Sequence, residues 1–302
     1  MTGPGLHPPV RVALAESVDT LPRGTGLAYE PKFDGHRMLI FRDTDPGGGR
    51  VRLQARSGRI VTAAFPDLVT AALRLPPGTV LDGEVVVWRD GRTDFAAVQK
   101  RAMATERHAP GLAGTLPASY AAFDLLAEEG RDLRGLAYRH RRSRLAALLA
   151  PLGPPIQAVP MTLDADEAAQ WYDSLPAIGV EGLVAKRLDG TYRAGARIWW
   201  KLRHTTPRDA VVVGHTGPAD HPRALVVVLP GDDTPVVSTP LTPTLRAQAA
   251  ALLPPGTGGE GRAMAPGLGE IAYREVTPTL SAEADLRTTR HTVLTITRLR
   301  TP

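Results

Sequence analysis

Charged side chains interrupt three short apolar runs of this sequence. They occur in Leu81-Asp82-Gly83-Glu84-Val85, in Glu181-Gly182-Leu183-Val184-Ala185-Lys186 and in Trp199-Trp200-Lys201-Leu202-Arg203. Runs of this kind are typical of core strands, where an unpaired charge is costly. We therefore expect these carboxylates and cations to lie together at one site, where they pair with each other, with a metal ion or with a phosphate.

The spacing of apolar residues predicts a mixed α+β fold for the first two thirds of the chain. Alternating runs predict strands, and apolar residues three or four positions apart predict helices. The strands are separated too irregularly for a doubly wound parallel sheet. The predicted strands cover 29–41 (two strands around a turn), 51–56, 80–88, 179–186 and 198–203, and the predicted helices cover 66–75, 95–106, 138–149 and 164–175.

The last third of the chain has a different pattern. One predicted helix at 242–253 and a glycine-rich loop at 256–261 lie among short β-rich runs at 210–214, 224–229, 235–238, 269–276 and 292–299. About five short strands with a helix fit a small Greek-key barrel such as an OB-fold. We therefore predict two domains, 1–206 and 207–302, of which the second is a β-barrel.

The composition excludes several kinds of site. The 302-residue chain has no cysteine, which excludes disulfides, thiolate zinc sites, iron–sulfur clusters and cysteine nucleophiles. No apolar run approaches the ~20 residues that span a bilayer, and the N-terminus lacks the basic and apolar segments of an export signal. We therefore expect a cytoplasmic protein with no membrane partner.

The basic residues permit a polyanionic partner. The net charge is +5, and the whole excess lies before Pro207, where 27 Lys and Arg face 22 Asp and Glu. Six arginines between Arg131 and Arg144 fit either a contact with a nucleic-acid backbone or a solvated helix face. A lysine can lose its proton and attack, whereas an arginine cannot. Only four of the 36 basic residues are lysines, namely Lys32, Lys100, Lys186 and Lys201.

The segment Lys32-Phe33-Asp34-Gly35-His36-Arg37 is a candidate nucleophile beside an anion clamp. A lysine at a strand end, with a carboxylate two residues later and an arginine five residues later, has the elements of covalent catalysis. An ordinary Asp-Gly hairpin flanked by surface charges would have the same sequence. Considered alone, the hexapeptide leaves both interpretations open.

Five segments follow one another along the chain: the Lys32–Arg37 hexapeptide, Asp82–Glu84, Phe123-Asp124-Leu125-Leu126, Glu181–Lys186 and Trp199–Arg203. Their order and spacing resemble the covalent nucleotidyltransferases, and most closely the ATP-dependent DNA ligases of the compact bacterial type. The resemblance implies an adenylation domain with ATP-grasp-like antiparallel sheets followed by an OB-fold. It also implies ATP as the AMP donor, Mg²⁺ or Mn²⁺ as the metal, and nicked duplex DNA as the substrate.

The same resemblance implies a cellular role and a setting. A compact ligase of this type is expected to act in DNA repair, beside a break-repair polymerase or an end-binding protein. We expect a monomer that is associated with the nucleoid. Only 31 residues precede Lys32, so we expect no separate N-terminal DNA-binding domain.

Each candidate site residue takes its implied role from its place in those motifs. Lys32 matches the nucleophile that attacks the α-phosphate of ATP and becomes lysyl-AMP. Arg37 matches a contact to ribose or to the 5′-phosphate, Arg56 a contact to the phosphate of the nick, and Phe123 the ring that stacks on adenine. Glu84 and Glu181 match the metal ligands of the family. Lys201 and Arg203 match the two cations on the α-phosphate. The remaining residues that match nucleotide-binding positions are Glu30, Asp34, Glu84, which also serves the ribose, and Lys186.

The C-terminal motif of the family is only partly present. Arg290 and Arg298 match its basic members, which orient pyrophosphate, whereas Thr292 and Leu294 replace its proline and phenylalanine. Two alternatives stay open beside the DNA ligase interpretation. One is an RNA ligase or a GTP-using capping guanylyltransferase on the same scaffold. The other is a non-catalytic nucleic-acid-binding relative in which the C-terminal motif has decayed.

Overall fold

The structure is a computed structural model of the chain, and it describes residues 5–44, 49–204, 207–231, 234–253, 258–265, 269–288 and 292–300. The chain divides into two compact units, Met1–His204 and Thr205–Pro302. The predicted boundary at Thr206 lies two residues after this division and outside the described ranges. Each unit has its own sheets and apolar core.

Strands and helices alternate through the first unit, which confirms the predicted mixed α+β class. Its strands are β1 (Leu14–Ser17), β2 (Leu27–Phe33), β3 (His36–Arg42), β4 (Val51–Ala55), β5 (Val80–Arg89), β6 (Arg92–Thr93), β7 (Ala118–Glu128), β8 (Arg131–Asp132), β9 (Ile156–Ala158), β10 (Val180–Arg187) and β11 (Arg197–Arg203). Its helices are α1 (Pro66–Ala72), α2 (Phe95–Ala102), α3 (Ala109–Thr115), α4 (Tyr138–Leu149) and α5 (Ala165–Ser174).

Local capping sets the helix boundaries. α4 has the predicted bounds. α2 begins after Asp94 and α5 after Asp164, and both aspartates accept hydrogen bonds from backbone N–H groups of the first turn. α2 ends four residues before the predicted end, because a turn separates it from α3. The sequence pattern did not predict α3, although Pro110 in its first turn favours a new helix start.

Two of the six arginines in the arginine-rich segment, Arg141 and Arg142 of α4, are buried, whereas Arg131, Arg139 and Arg144 are exposed. Arg141 donates to the two carboxylate oxygens of Asp124 at 2.7 and 2.9 Å, and both side chains are fully buried. Arg142 is also buried; it donates to the carbonyl of Val159 and lies 3.8 Å from the Glu30 carboxylate. The two buried arginines neither follow a nucleic-acid backbone nor face solvent, because they neutralise buried acids.

The two sheets of the first unit meet at Asp34 and Gly35. One sheet has the order β1-β11-β10-β2, and the other has the order β4-β3-β5-β7-β8, with β6 on β5 and β9 on β7. β2 and β3 therefore belong to different sheets, and the hairpin interpretation of this segment is wrong. A Cβ on Gly35 would lie 2.1 Å from the Val85 carbonyl oxygen, so the close approach at this corner requires glycine.

The core of the first unit holds these two sheets together. The largest apolar cluster packs residues of β3, β4, β5 and β7 against α1, α2 and α4. A second cluster contains Leu39 and Phe41 of one sheet and Trp199 of the other. Because it includes residues of both sheets, this cluster fixes the corner at which β2 passes into β3.

The second unit contains a closed circuit of strands. Its described elements are β12 (Pro207–Thr216), β13 (Ala224–Val228), β14 (Val236–Val237), α6 (Pro243–Leu252), β15 (Glu260–Ala265), β16 (Gly269–Thr288) and β17 (Thr292–Arg300). β12 to β16 pair in succession, β16 pairs back onto β12, and β17 extends β16. β15 begins inside the predicted glycine-rich loop. The sequence pattern did not predict this strand, because glycines dilute the apolar alternation that marks a strand.

No helix among the described residues combines the length and the apolar character needed to cross a membrane.

Candidate active site

Lys32 lies beside the cations of β11 on one face of the four-stranded sheet. Lys32 pairs in register with Gly182 of β10, and Gly182 pairs with Arg203 of β11. Directly opposed residues of antiparallel strands point to the same side, so Lys32 and Arg203 share a face, as does Lys201 two residues earlier. A Cβ on Gly182 would lie 2.0 Å from the Leu202 carbonyl oxygen, so this row needs glycine at its centre.

A β-bulge brings Glu181 to the same cations. The register between β10 and β2 shifts between Val180 and Gly182, which leaves Glu181 without a partner in that ladder. Its Oε2 contacts the Lys32 ammonium, and its Oε1 lies 2.7 Å from Nε of Arg203. Regular alternation would place residue 181 on the face opposite Gly182, so the periodicity of the sequence did not predict this contact.

Positive charge accumulates around Lys201. Its pKa is lowered, first by burial and then by the charges of Arg203 and Lys32. Arg56, an exposed residue that follows β4, lowers the pKa of Lys201 to a smaller extent, which places it within electrostatic range. The structure therefore brings together four predicted site residues whose common property is affinity for phosphate.

Carboxylates form the other half of the site. Burial raises the pKa of Glu84 to about 7; Lys32 and Arg37 oppose this rise, and Glu181 adds to it. Burial, followed by the charge of Glu181, also raises the pKa of Asp34. Glu181 therefore acts on both Glu84 and Asp34, and Lys32 lowers the pKa of both.

The raised pKa of Glu84 predicts a pH-dependent stability. Because the pKa is about 7 in the folded chain and near its usual 4.5 after unfolding, the stabilising effect of the protonated acid is lost as the pH rises from 4.5 through 7. Without divalent cations, we expect the free energy of unfolding to fall by on the order of 2 kcal/mol between about pH 5 and 8 from this group, allowing for partial solvent exposure.

Urea unfolding in EDTA tests this expectation with Glu84→Gln beside the wild type. The glutamine variant is expected to lose that part of the pH dependence and to be the more stable protein above pH 7. Parallel stability–pH profiles for the two proteins would show that another group causes the slope.

Arg37 is held by the protein itself. Its Nε and Nη2 donate to the two oxygens of Asp82 at 3.0 and 2.7 Å, and its Nη1 donates to the Ala13 carbonyl at 2.6 Å. The Tyr192 hydroxyl donates to the same Asp82 at 2.7 Å. Asp82 is fully buried and the Arg37 side chain is 15% exposed, so this is a charge-assisted internal network. The sequence pattern did not predict a role for Tyr192, because nothing local marks a loop tyrosine as the partner of a strand carboxylate.

Glu30 and Lys186 form a second internal network. Their charged groups lie 2.6 Å apart, and the side chains are only 2% and 1% exposed. The Tyr138 hydroxyl donates to Glu30, and Lys186 donates to the Phe123 carbonyl at 2.8 Å. Burial lowers the pKa of Lys186, and Glu30 opposes that effect. The pair ties β2 and β10 of one sheet to β7 of the other and to α4.

Aromatic rings surround the Lys186 ammonium. Trp199, Tyr138 and Phe123 have their ring centres 4.6, 4.7 and 4.9 Å from Nζ, which favours the cation electrostatically. Phe123 packs edge-on against Trp199 at 5.7 Å and lies 5.2 Å from the Arg37 guanidinium. The half-buried Phe123 ring is therefore fixed between the two internal networks.

Of the two C-terminal candidates, the structure describes only Arg298. Arg298 is exposed on β17 of the second unit, in register with Glu283 of β16. Arg290 lies outside the described residues. The role of both residues toward pyrophosphate stays a prediction.

The Lys32 site lies in the part of the chain that matches a known protein family. Residues 10–203 match the family described as "ATP dependent DNA ligase domain". The chain belongs to this family. The match contains all the residues of the Lys32 site and of the two internal networks, and it ends at Arg203, the last residue of β11.

Individual ligases are similar over much of the chain. DNA ligase C2 of Mycolicibacterium smegmatis is 39% identical over 235 residues, which cover 76% of this chain and 65% of that protein. The multifunctional non-homologous end joining protein LigD of Pseudomonas aeruginosa is 37% identical over 221 residues, which cover 72% of this chain and 25% of that protein. The chain thus spans less than two thirds of the length of these relatives.

Similarity to a solved ligase structure extends over both units. The crystal structure of the ligase domain of M. tuberculosis LigD has a TM-score of 0.55 with this ligase-family chain at 27% identity. The comparison covers 96% of this chain and 95% of that one. Its fold and that of the crystallised ligase domain are therefore alike.

Proposed function

We propose that this chain is an ATP-dependent DNA ligase that seals nicks in duplex DNA through lysyl-AMP and DNA-adenylate intermediates. The observation that carries the proposal is the row on one sheet face, where Lys32 lies with Lys201 and Arg203 and contacts Glu181. An amine among phosphate-binding cations and beside a carboxylate has the arrangement that covalent nucleotidyl transfer requires.

The proposed first step uses these four side chains. Nζ of Lys32 attacks the α-phosphorus of ATP; a P–N bond forms, and the bond to the departing pyrophosphate breaks. The Glu181 carboxylate, which contacts Nζ, orients the amine, and the proton that the amine releases passes to solvent. Lys201 and Arg203 stabilise the charge that develops on the α-phosphate. AMP then passes to the 5′-phosphate of a nick, and the 3′-hydroxyl displaces it as the phosphodiester bond forms.

Glu84 and Glu181 are the proposed ligands of Mg²⁺ or Mn²⁺. The charge of Glu181 raises the pKa of Glu84, and a neighbouring carboxylate pair of this kind suits a hard divalent cation. Mg²⁺ is commonly held by one or two carboxylates together with substrate phosphates. The described residues contain no group of three or more acidic or histidine ligands. When bound, the ion would neutralise charge on the triphosphate.

Of the remaining candidate residues, one is proposed to contact the nucleotide and the others are proposed to hold the site in position. We propose that Phe123 stacks on adenine, and that its position depends on Trp199 and Lys186. Glu30 and Lys186 are almost fully buried, which supports a role in fixing the two sheets. The nitrogens of Arg37 already donate to Asp82 and Ala13, which supports a positioning role for Arg37 in place of the implied contact to ribose or phosphate.

We propose that the two units are an adenylation domain with ATP-grasp-like antiparallel sheets (1–206) and an OB-fold domain (207–302). The closed circuit of β12 to β16 with one helix supports the OB-fold assignment. The relatives named for non-homologous end joining support a repair role, beside a break-repair polymerase or an end-binding protein. We propose that the ligase acts as a cytoplasmic, nucleoid-associated monomer.

Incubation with α-labelled ATP or GTP and a divalent cation, followed by a denaturing gel, tests the proposal. We expect label from ATP alone on the protein, and sealing when nicked duplex DNA with a 5′-phosphate is added. Label from GTP would favour a capping guanylyltransferase, and sealing of nicked RNA alone would favour an RNA ligase. Binding of nicked duplex without any covalent adenylate would favour the non-catalytic alternative.

Arg56→Ala is expected to separate sealing from adenylylation. Arg56 is exposed and only weakly coupled to Lys201, so its loss should leave lysyl-AMP formation within about twofold of wild type. If Arg56 binds the phosphate of the nick, a lost charge-assisted contact predicts an approximately tenfold weaker sealing at limiting DNA, and the loss should grow smaller as salt rises. Gel assays of both steps at two salt concentrations measure this; an equal loss in the two steps would place Arg56 on ATP.

A further inference from the structure

We infer that Tyr172 and His204 form a clamp that positions Arg203 for lysyl-AMP formation. Both residues lie outside the five segments that carry the resemblance to ligases. The inference rests on the proposed function, because Arg203 acts on the α-phosphate there. Tyr172 and His204 touch neither nucleotide nor DNA in this scheme and act through Arg203, as positioning residues.

Both polar groups of the peptide that joins Arg203 to His204 are hydrogen-bonded. The Tyr172 hydroxyl donates to the Arg203 carbonyl at 2.9 Å, and the His204 N–H donates to the Glu181 carbonyl at 2.8 Å. Glu181 also pairs its side chain with Arg203 and with Lys32. The main chain of Arg203 is therefore held by a helix on one side and by the bulged strand on the other.

The ring of His204 completes the clamp. It stacks on the Tyr172 ring with centres 4.2 Å apart and planes 15° apart, and its Nε2 lies 2.7 Å from the Tyr172 carbonyl oxygen. Tyr172 lies on α5, in the apolar cluster that contains Tyr29, Leu183 and Ala185. The clamp therefore links a packed helix to the last residue of β11.

The position of Arg203 explains why such a clamp matters. β11 ends at Arg203, and the first compact unit ends one residue later, at His204. Residues at the end of a strand have fewer ladder bonds than residues in its middle and open more readily. A displacement of about 1 Å at a group that stabilises a transition state can cost roughly 10²-fold in rate. Hydrogen bonds on both sides of the Arg203–His204 peptide oppose that displacement.

Tyr172→Phe is the sharpest test, because it keeps the ring and removes only the hydroxyl that holds the Arg203 carbonyl. Single-turnover lysyl-AMP formation at saturating ATP is expected to slow about tenfold. Sealing of a pre-adenylylated nick, which bypasses the first step, is expected to slow less than twofold. Thermal unfolding checks that the variant is folded. Tyr29→Phe is the matched control, since Tyr29 belongs to the same cluster and donates to the Pro22 carbonyl at 2.8 Å; its rate should equal that of wild type.

A double-mutant cycle shows whether Tyr172 acts through Arg203. In an Arg203→Ala background, Tyr172→Phe is expected to cause no further slowing of lysyl-AMP formation. A tenfold loss in both backgrounds, or an unchanged rate in the Tyr172→Phe variant, would overturn the inference while a normally labelled wild type leaves the proposed function standing. A wild type that acquires no label would overturn both.

Discussion

Replacing Lys32 by alanine is expected to reduce the transfer of label from α-labelled ATP to the protein by at least about 10³-fold, to the background of the assay. The variant keeps Lys201 and Arg203, so ATP can still bind, but no amine remains at the position that contacts Glu181. The half-buried Lys32 side chain contributes little to the core, so the folded structure should persist. Denaturing gels after incubation with a divalent cation measure the covalent adenylate directly.

Lys100→Ala is the matched control for Lys32→Ala. Lys100 is a second lysine of the first unit, exposed on α2, and it belongs to none of the motif segments. Its variant should acquire label at the wild-type rate. Persistent label on Lys32→Ala that disappears in another lysine variant would move the nucleophile to that lysine. Sealing of a pre-adenylylated nick by Lys32→Ala would show that the later steps need no amine at position 32.

Replacing Lys186 by methionine is expected to lower the free energy of unfolding by roughly 3–5 kcal/mol. Methionine approximates the volume of lysine, so the loss comes from charge and not from a cavity. The Glu30 carboxylate would remain 2% exposed without its partner at 2.6 Å, and the three rings around Nζ would lose their cation. Urea unfolding at pH 7.5, monitored by tryptophan fluorescence, measures the change.

Lys201→Met provides the opposite outcome on the neighbouring strand. Its side chain is half-buried and its charged neighbours include Arg203 and Lys32, so removal of its charge also relieves repulsion. We expect a stability change below about 1 kcal/mol and a large loss of lysyl-AMP formation.

In a Lys186→Met background, Glu30→Gln should restore part of the lost stability, because it removes the uncompensated charge. Native stability of Lys186→Met together with lost labelling would instead place Lys186 on the nucleotide.

Local pattern was sufficient for several parts of this protein. The sequence predicted α4 at its observed bounds, and its buried positions Tyr138, Arg141, Leu145 and Leu149 recur three or four residues apart although one of them is an arginine. Strand alternation predicted that Lys201 and Arg203 share a face, because the side-chain period of a strand is two residues. The cost of burying unpaired charge predicted that the charges of the apolar runs would be paired, although Asp82 and Lys186 pair in the two internal networks and not at the Lys32 site. The order of the five segments predicted the ligase family.

Only the tertiary structure decided which charges meet and at which corner. The bulge at Glu181 reverses the face that alternation assigns to that residue, because one extra residue in a strand shifts its register. The passage of the chain from one sheet to the other at Gly35 replaces a hairpin, and it depends on strands that are distant in sequence. Local sequence pattern also did not predict three pairs of partners, namely Glu30 with Lys186, Asp82 with Arg37, and Tyr172 with Arg203. Each pair joins segments that are distant in sequence. Strand order and packing bring these segments together, and both exist only when the whole unit is folded.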